Sequence, residues 1–250
     1  MSTWIFLRGL TRESRHWADF PDIFRSEIRD AKIVTLDLPG NGDLNHMQSS
    51  TSVAAMAEYC HSAIEARGIS PPYHVLAMSL GAMVAVALAM NYPREIGGCV
   101  LISTSLRPIS PFYERLRPRN YPSLLRLVLP GCSVRSREST ILRITSNMAK
   151  SRAQILENWC ALQRKHPVSR VNALRQLWAS SRYNALPQRP PVRLLLLASE
   201  KDNLVSIQCS RRLARLWRTD LAIHPSAGHD IPLDDGAWVA QQVRQWLRRE

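Results

Sequence analysis

The sequence predicts an α/β protein whose mostly parallel sheet has about six strands, helices on both faces and an inserted helical cap. In the first and last thirds of the 250 residues, short apolar runs alternate with helix-length stretches. This alternation is typical of parallel sheets. The middle third breaks it and contains no apolar run that resembles a strand. We therefore expect a core of residues 1–106 and 191–250, and a basic cap of residues 107–190.

Each predicted element has its own signal in the sequence. The strands are short runs rich in aliphatic and β-branched residues, at residues 4–7, 32–36, 73–77, 99–102, 192–198 and 221–223. The run 192–198 is continuously apolar, which is typical of a strand buried on both faces. Helix-length stretches follow the strands of the core, at residues 17–28, 52–67, 80–91, 206–217 and 237–249. The predicted cap combines many prolines with amphipathic helical stretches.

The composition excludes several classes of protein. With 45% hydrophobic and 21% charged residues, the chain is not of the disordered type. Its longest apolar run, residues 80–90, is shorter than the roughly 20 residues of a membrane span, and the first residues lack the apolar centre of a secretory signal. The five cysteines form no CxxC pair, so we expect neither a disulfide framework nor a zinc site. These features indicate a soluble cytoplasmic protein.

Residues 77–81, with the sequence AMSLG, carry the sharpest local signal for chemistry. They join a predicted strand to an alanine-rich predicted helix. A serine on such a turn is held above the sheet with its hydroxyl exposed. The usual pattern is G-x-S-x-G, and Ala77 replaces its first glycine. Ser79 is therefore either a candidate nucleophile or simply the residue that caps the helix.

A nucleophilic serine needs a base, and the base needs a carboxylate that orients it. Asp202 follows the strand run 192–198, and His229 follows the last predicted strand. Both therefore belong to the sheet edge at which open α/β sheets bind ligands. We expect Ser79, His229 and Asp202 to form a catalytic triad. Three other aspartates close to the histidine in sequence remain alternative orienting groups: Asp230, Asp234 and Asp235.

Acyl transfer also requires donors for the oxyanion that develops on the substrate. The first predicted strand ends at residues 7–10, with the sequence LRGL. The backbone N–H groups of Leu10 and Leu80 are the candidate pair. The alternative for residues 8–10 is an ordinary strand-ending turn.

The chain resembles the α/β-hydrolase superfamily. The resemblance rests on Arg8-Gly9, on residues 37–42 (DLPGNG), on the AMSLG turn, on Asp202 and on Gly228-His229. That superfamily usually has His-Gly where this chain has Arg8-Gly9. Because backbone groups bind the oxyanion, we expect the change to Arg8 to leave the oxyanion-binding site intact. The resemblance implies a serine hydrolase of carboxylic esters that works through an acyl-enzyme and needs no metal or organic cofactor. General carboxylesterase or thioesterase activity on free small esters, or a catalytically silent binding module, remain alternatives.

The net charge of +13 lies entirely in the predicted cap. Residues 107–190 contain 16 basic and three acidic residues, whereas the remaining chain contains 17 of each. A basic cap at the mouth of a site predicts an acidic partner. The alternatives are a solvated basic surface, nucleic acid and an anionic membrane surface. We expect no nucleic acid, because no binding motif is present, and no strongly amphipathic membrane anchor stands out.

A small hydrolase with a basic helical cap also resembles the carrier-protein methyl ester esterases of biotin synthesis. This resemblance implies that an acidic acyl-carrier protein docks on the cap and that the methyl ester of its pimeloyl chain is cleaved. The candidate partner-binding arginines are chosen by composition alone, and they are Arg115, Arg117, Arg119, Arg126, Arg135, Arg137, Arg143 and Arg152.

Overall fold

The computed structural model describes residues 2–128 and 131–249. Six strands form one sheet in the order β2-β1-β3-β4-β5-β6, and every neighbouring pair is parallel. The strands are β1 Ser2–Leu7, β2 Ala31–Leu36, β3 Tyr73–Met78, β4 Ile96–Ile102, β5 Leu194–Ser199 and β6 Asp220–His224. The predicted parallel sheet of about six strands is confirmed.

Helices cover both faces of this sheet, because successive side chains of a strand point to opposite faces. Ile5 and Leu7 pack in the layer that contains α2, α3 and α9, whereas Trp4 and Phe6 pack in the layer that contains α1 and α10. The helices are α1 Phe20–Glu27, α2 Val53–Glu65, α3 Leu80–Asn91, α4 Phe112–Arg115, α5 Tyr121–Val128, α6 Val134–Thr145, α7 Arg152–Lys165, α8 Arg170–Arg182, α9 Ile207–Trp217 and α10 Ile231–Leu247.

Most boundaries lie within three residues of those that the sequence predicts, and two of the differences are informative. Strand β4 begins three residues early and includes Gly98, where an added Cβ would lie 2.6 Å from the indole of Trp246. Helix α10 begins six residues early, because Pro232 is compatible with a first helical turn. Asp235 then has non-helical angles (φ −153°, ψ 75°), so the predicted start at residue 237 marks the end of this kink.

The segment between β4 and β5 contains helices α4 to α8, and none of its described residues joins the sheet. We call residues 107–190 the cap segment. Its two ends meet where the amide of Ala185 donates to the carbonyl of Arg107 over 2.7 Å. Within the described ranges, no helix of the protein combines the length and apolar character needed to cross a bilayer.

Candidate active site

The turn between β3 and α3 holds Ser79 in a strained backbone conformation. Ser79 has φ 54° and ψ −117°, a region that costs a non-glycine residue about 1–3 kcal/mol. Its amide donates to the carbonyl of Ile102 over 3.0 Å, which ties the turn to β4. At Gly81 an added Cβ would lie 2.5 Å from the carbonyl oxygen of Arg8, so only glycine fits there. Ala77 is fully buried in the core and accommodates its methyl group within the sheet.

Ser79 occupies the position of a helix cap but does not act as one. Its side chain accepts no hydrogen bond from the first turn of α3. The residue instead lines a cavity of about 660 Å³ beneath the cap segment. The geometry therefore favours the first of the two interpretations of Ser79, a hydroxyl presented to a ligand.

His229 and Asp202 form a buried pair at the same edge of the sheet. Nδ1 of His229 lies 2.8 Å from Oδ2 of Asp202, and the side chains are 2% and 4% exposed. Oδ1 of Asp202 accepts hydrogen bonds from the amides of Leu204 and Val205, over 2.7 and 2.9 Å. Nε2 of His229 is buried and has no hydrogen-bond partner among the described residues. The imidazole is thus held through Nδ1, whereas Nε2 makes no hydrogen bond to Ser79 or to any other described residue.

The three alternative aspartates are engaged elsewhere. Asp230 pairs with Arg8, Asp235 lies 3.2 Å from Nε2 of His224, and Asp234 accepts from Gly228, Ser146 and Asn147. Of the four carboxylates that the sequence offers, Asp202 is the one in contact with His229.

Arg8 links the serine turn to the histidine loop. Its guanidinium contacts Sδ of Met78 at 3.7 Å and pairs with both carboxylate oxygens of Asp230, at 3.2 and 2.5 Å. It also stacks on Trp17 at 4.7 Å. The residue before Ser79 and the residue after His229 therefore touch the same buried group. The sequence identifies Arg8 as a departure from the usual histidine, but it does not reveal this partner.

We expect Arg8→Met to lower the free energy of unfolding by about 3–5 kcal/mol, because it leaves the buried carboxylate of Asp230 uncompensated. The double variant Arg8→Met/Asp230→Leu should recover most of the loss, because it removes both charges. Urea unfolding measures both values. As a control, Arg25→Met breaks an exposed pair with Asp22 and should cost less than about 1 kcal/mol. Equal losses for Arg8→Met and Arg25→Met would contradict this account.

The two predicted oxyanion donors lie beside Ser79. Leu10 and Leu80 line the same cavity, and no hydrogen bond within the described ranges uses either amide. The turn after β1 lies close to the serine, since an added Cβ at Gly9 would be 3.1 Å from Cβ of Ser79. The next amide, that of Thr11, donates to Oε1 of Gln176 in the cap segment over 2.8 Å, which fixes the turn.

A second buried ion pair joins the core to the cap segment and was not found from the sequence. Arg12 donates to Glu138 over 2.6 Å and lies 4.2 Å from the centre of the Trp159 ring. Burial and the positive charges of Arg12 and Arg8 hold the pKa of His16 well below its ordinary value, so this imidazole stays neutral. The sequence did contain an indication of this pair, because Glu138 is one of only three acidic residues in the cap segment.

The cavity has a predominantly apolar wall, and Ser79 is among the residues that line it. The apolar wall residues that come from the cap segment include Leu116, Leu124, Leu127, Ile141, Leu174, Leu177 and Trp178. Arginine side chains enter the wall at Arg115, Arg137 and Arg170. Arg115 donates to the carbonyls of Ser180 and Ser181, and burial lowers its pKa from the ordinary value. It remains charged at neutral pH, as arginine does.

The eight candidate partner-binding arginines do not converge on one site. Arg115 and Arg137 line the cavity. Besides Arg115, which is bound to Ser180 and Ser181, four more are bound to other groups: Arg119 to Asn203, Arg135 to Glu157, Arg143 to Ser123, and Arg152 to the carbonyls of Leu142 and Ser146. The side chains of Arg117 and Arg126 have no hydrogen bond within the part of the chain that the structure describes.

Comparison with known proteins gives a consistent assignment. The model of the alpha/beta hydrolase family matches residues 4–242. Curated relatives include putative carbamate hydrolases RutD from Cronobacter turicensis (28% identity; 79% of this chain and 74% of the relative) and from Escherichia coli O103:H2 (26%; 92% and 85%). Similar solved structures include a Thermogutta terrifontis esterase, with a TM-score of 0.75 and 19% identity over 100% of this chain and 90% of that chain. They also include a bacterial membrane phospholipase A, with a TM-score of 0.80 and 21% identity over 99% of this chain and 78% of that chain. These structures show a shared fold. Because the family model spans nearly the whole chain, this protein belongs to the alpha/beta hydrolase family.

Proposed function

We propose that this hydrolase cleaves carboxylic esters that carry a hydrophobic acyl group, with Ser79 as nucleophile, His229 as base and Asp202 as orienting group. The observation that carries the proposal is the His229–Asp202 pair: Nδ1 is held by a buried carboxylate, while Nε2 is unpartnered within the described residues. An imidazole in this state is prepared to accept a proton.

The proposed reaction has two halves. Oγ of Ser79 attacks the ester carbonyl carbon while Nε2 of His229 takes the hydroxyl proton. The amides of Leu10 and Leu80 stabilise the oxyanion, and collapse of this intermediate expels the alcohol, which receives the proton from His229. Water then attacks the acyl-enzyme, His229 takes its proton, and the acid leaves as the proton returns to Ser79.

The cavity is suited to a substrate with a hydrophobic acyl group. Its volume of about 660 Å³ lies in the range of sites for drug-sized ligands. The relatives named as putative carbamate hydrolases suggest carbamate as a second substrate, since it also presents a carbonyl carbon. Carbamate is small and polar, however, and would leave this apolar wall unused. The apolar wall therefore favours the acyl ester.

Cleavage of a carrier-linked methyl ester stays a prediction. The cavity is large enough for a threaded acyl chain, but five of the eight arginines chosen for carrier docking are bound to other groups in the protein. Turnover of methyl pimeloyl carrier protein beside the free methyl ester, at low and high salt, tests it. A preference for the carrier-linked ester that disappears at high salt is the expected result. Equal, salt-independent turnover would contradict it.

The acyl-length profile tests the proposed substrate class. For p-nitrophenyl esters we expect kcat/KM to rise roughly three- to fourfold per added methylene until the cavity is filled. Ile141→Asn places an amide in the wall and should lower kcat/KM about tenfold for the octanoyl ester, with little effect on the acetyl ester. Leu216→Asn, at an exposed position on α9, is the control. A flat profile, or faster turnover of carbamate than of any ester, would overturn the proposal.

A further inference from the structure

Helix α8 is oriented with its apolar side outward. Val171, Leu174, Leu177 and Trp178 are 60%, 49%, 40% and 55% exposed, and their spacing places them on one face of the helix. The opposite face is polar and buried, and it includes Asn172 and Gln176, which are 5% and 0% exposed. A helix on a globular surface normally has the reverse arrangement.

The buried polar face fixes this orientation. Asn172 accepts from the amide of Ser49 over 2.9 Å and donates to the carbonyl of Met47. Gln176 donates to Oδ1 of Asn41 over 2.8 Å and to Oγ of Ser49 over 3.0 Å. Turning α8 to bury its apolar side would leave the buried partners Asn41 and Ser49 unpaired, at a cost of about 1–3 kcal/mol each. The exposure of the apolar side is therefore built into the fold.

Neighbouring helices extend the apolar surface around the cavity. We define the interface patch as the four α8 side chains together with Phe112 and Tyr113 of α4 and Tyr121 and Leu125 of α5, which are 39–72% exposed. Five of its members also line the cavity: Phe112, Tyr121, Leu174, Leu177 and Trp178. The patch therefore borders the opening that leads to Ser79. Apolar surface of this kind, next to a binding cavity, marks an interaction site.

Positive charge surrounds the patch. Helix α8 begins with Arg170 and ends with Arg182, whose guanidinium lies 5.1 Å from the ring of Trp178, and Arg126 follows Leu125. All three acidic residues of the cap segment are already paired with arginines: Glu114 with Arg212, Glu138 with Arg12, and Glu157 with Arg135. Apart from Arg135, the exposed cationic side chains of the cap segment therefore have no partner among the acidic residues of that segment.

We infer that the interface patch binds the surface of a lipid bilayer that carries anionic headgroups, with the cavity opening toward the lipid. Any acidic partner would match the charge, but exposed tryptophan, phenylalanine and leucine bordered by arginine are the composition of elements that lie in a membrane interface. Resting on the proposed function, the inference also names the substrate class: an ester amphiphile held in that surface.

Binding is measured with the Ser79→Ala protein, so that turnover does not contribute. Sedimentation with vesicles of phosphatidylcholine alone is compared with vesicles that also contain phosphatidylglycerol, at low and high salt. We expect binding to the anionic vesicles to exceed binding to the neutral ones by about tenfold or more, and to weaken as salt rises.

The double variant Leu125→Ser/Val171→Ser tests the apolar contribution. Neither residue lines the cavity. When Ser79 is intact, the double variant should therefore hydrolyse a short soluble ester at the same rate as the parent protein. Vesicle binding should fall about tenfold, because two exposed apolar side chains no longer enter the lipid. Leu216→Ser is the control, since Leu216 is 49% exposed, close to the 59% of Leu125, but lies on α9 of the core.

Three results would overturn the inference. The first is absence of binding to anionic vesicles, the second is binding that ignores the Leu125→Ser/Val171→Ser change, and the third is tight binding of an acidic acyl-carrier protein without any vesicle binding. Failure of the proposed function is distinguishable, because it would appear as absent hydrolysis of the soluble ester while vesicle binding persists.

Discussion

Replacing Ser79 with alanine is expected to lower kcat for ester hydrolysis by about 10⁴- to 10⁶-fold, the loss that follows removal of a serine nucleophile from a working triad. The structure gives this serine no competing role, because its side chain does not cap α3 and the residue lines the cavity. Folding should be preserved, since the strained backbone of the turn is held by Ile102 and Gly81 rather than by the hydroxyl.

Ser103 provides the control for this experiment. It follows β4, has a positive φ of 49°, lines the same cavity and carries a buried hydroxyl without a partner among the described residues. It is therefore the most plausible rival nucleophile. A fluorophosphonate probe should label the parent protein and the Ser103→Ala variant equally, and it should not label Ser79→Ala. Labelling that survives in Ser79→Ala and disappears in Ser103→Ala would assign the chemistry to Ser103.

The sheet could be predicted from the sequence because its signals are local. Continuous apolar runs such as residues 192–198 predict buried strands, and the strand–serine–helix turn predicts where the chain changes direction. The candidate site follows from these elements, since parallel strands bring their carboxyl ends to one edge. Asp202 and His229 are 27 residues apart in the chain, yet each is placed by the strand before it.

The contacts around the site could not be predicted because they join distant parts of the chain. Arg8 and Asp230 are separated by 222 residues, and nothing local to either indicates the other. The orientation of α8 also depends on contacts between distant parts of the chain. Its sequence is amphipathic, but amphipathicity alone does not say which face is buried. The polar face is buried because Asn172 and Gln176 find partners in residues 41–49, more than 120 residues away.

The second large effect is expected for Asp202→Asn, which should lower kcat by about 10⁴-fold with little change in the free energy of unfolding. In the parent protein Oδ1 accepts from the amides of Leu204 and Val205. The carbonyl oxygen of an asparagine must keep those two bonds, so its NH₂ group faces Nδ1 of His229. Nδ1 must then accept, and the ring proton moves to Nε2. A protonated Nε2 cannot take the proton of Ser79.

The neighbouring aspartates make this prediction specific. Asp235→Asn alters a partly exposed carboxylate that contacts His224 and should leave kcat within about threefold, since surface changes away from the site are small. Steady-state kinetics and urea unfolding of both variants provide the comparison. An Asp202→Asn enzyme within tenfold of the parent would show that another group orients His229. The 2.8 Å contact and the two amide bonds argue against that outcome, because the amides hold Oδ1 of Asp202 while Oδ2 faces the imidazole.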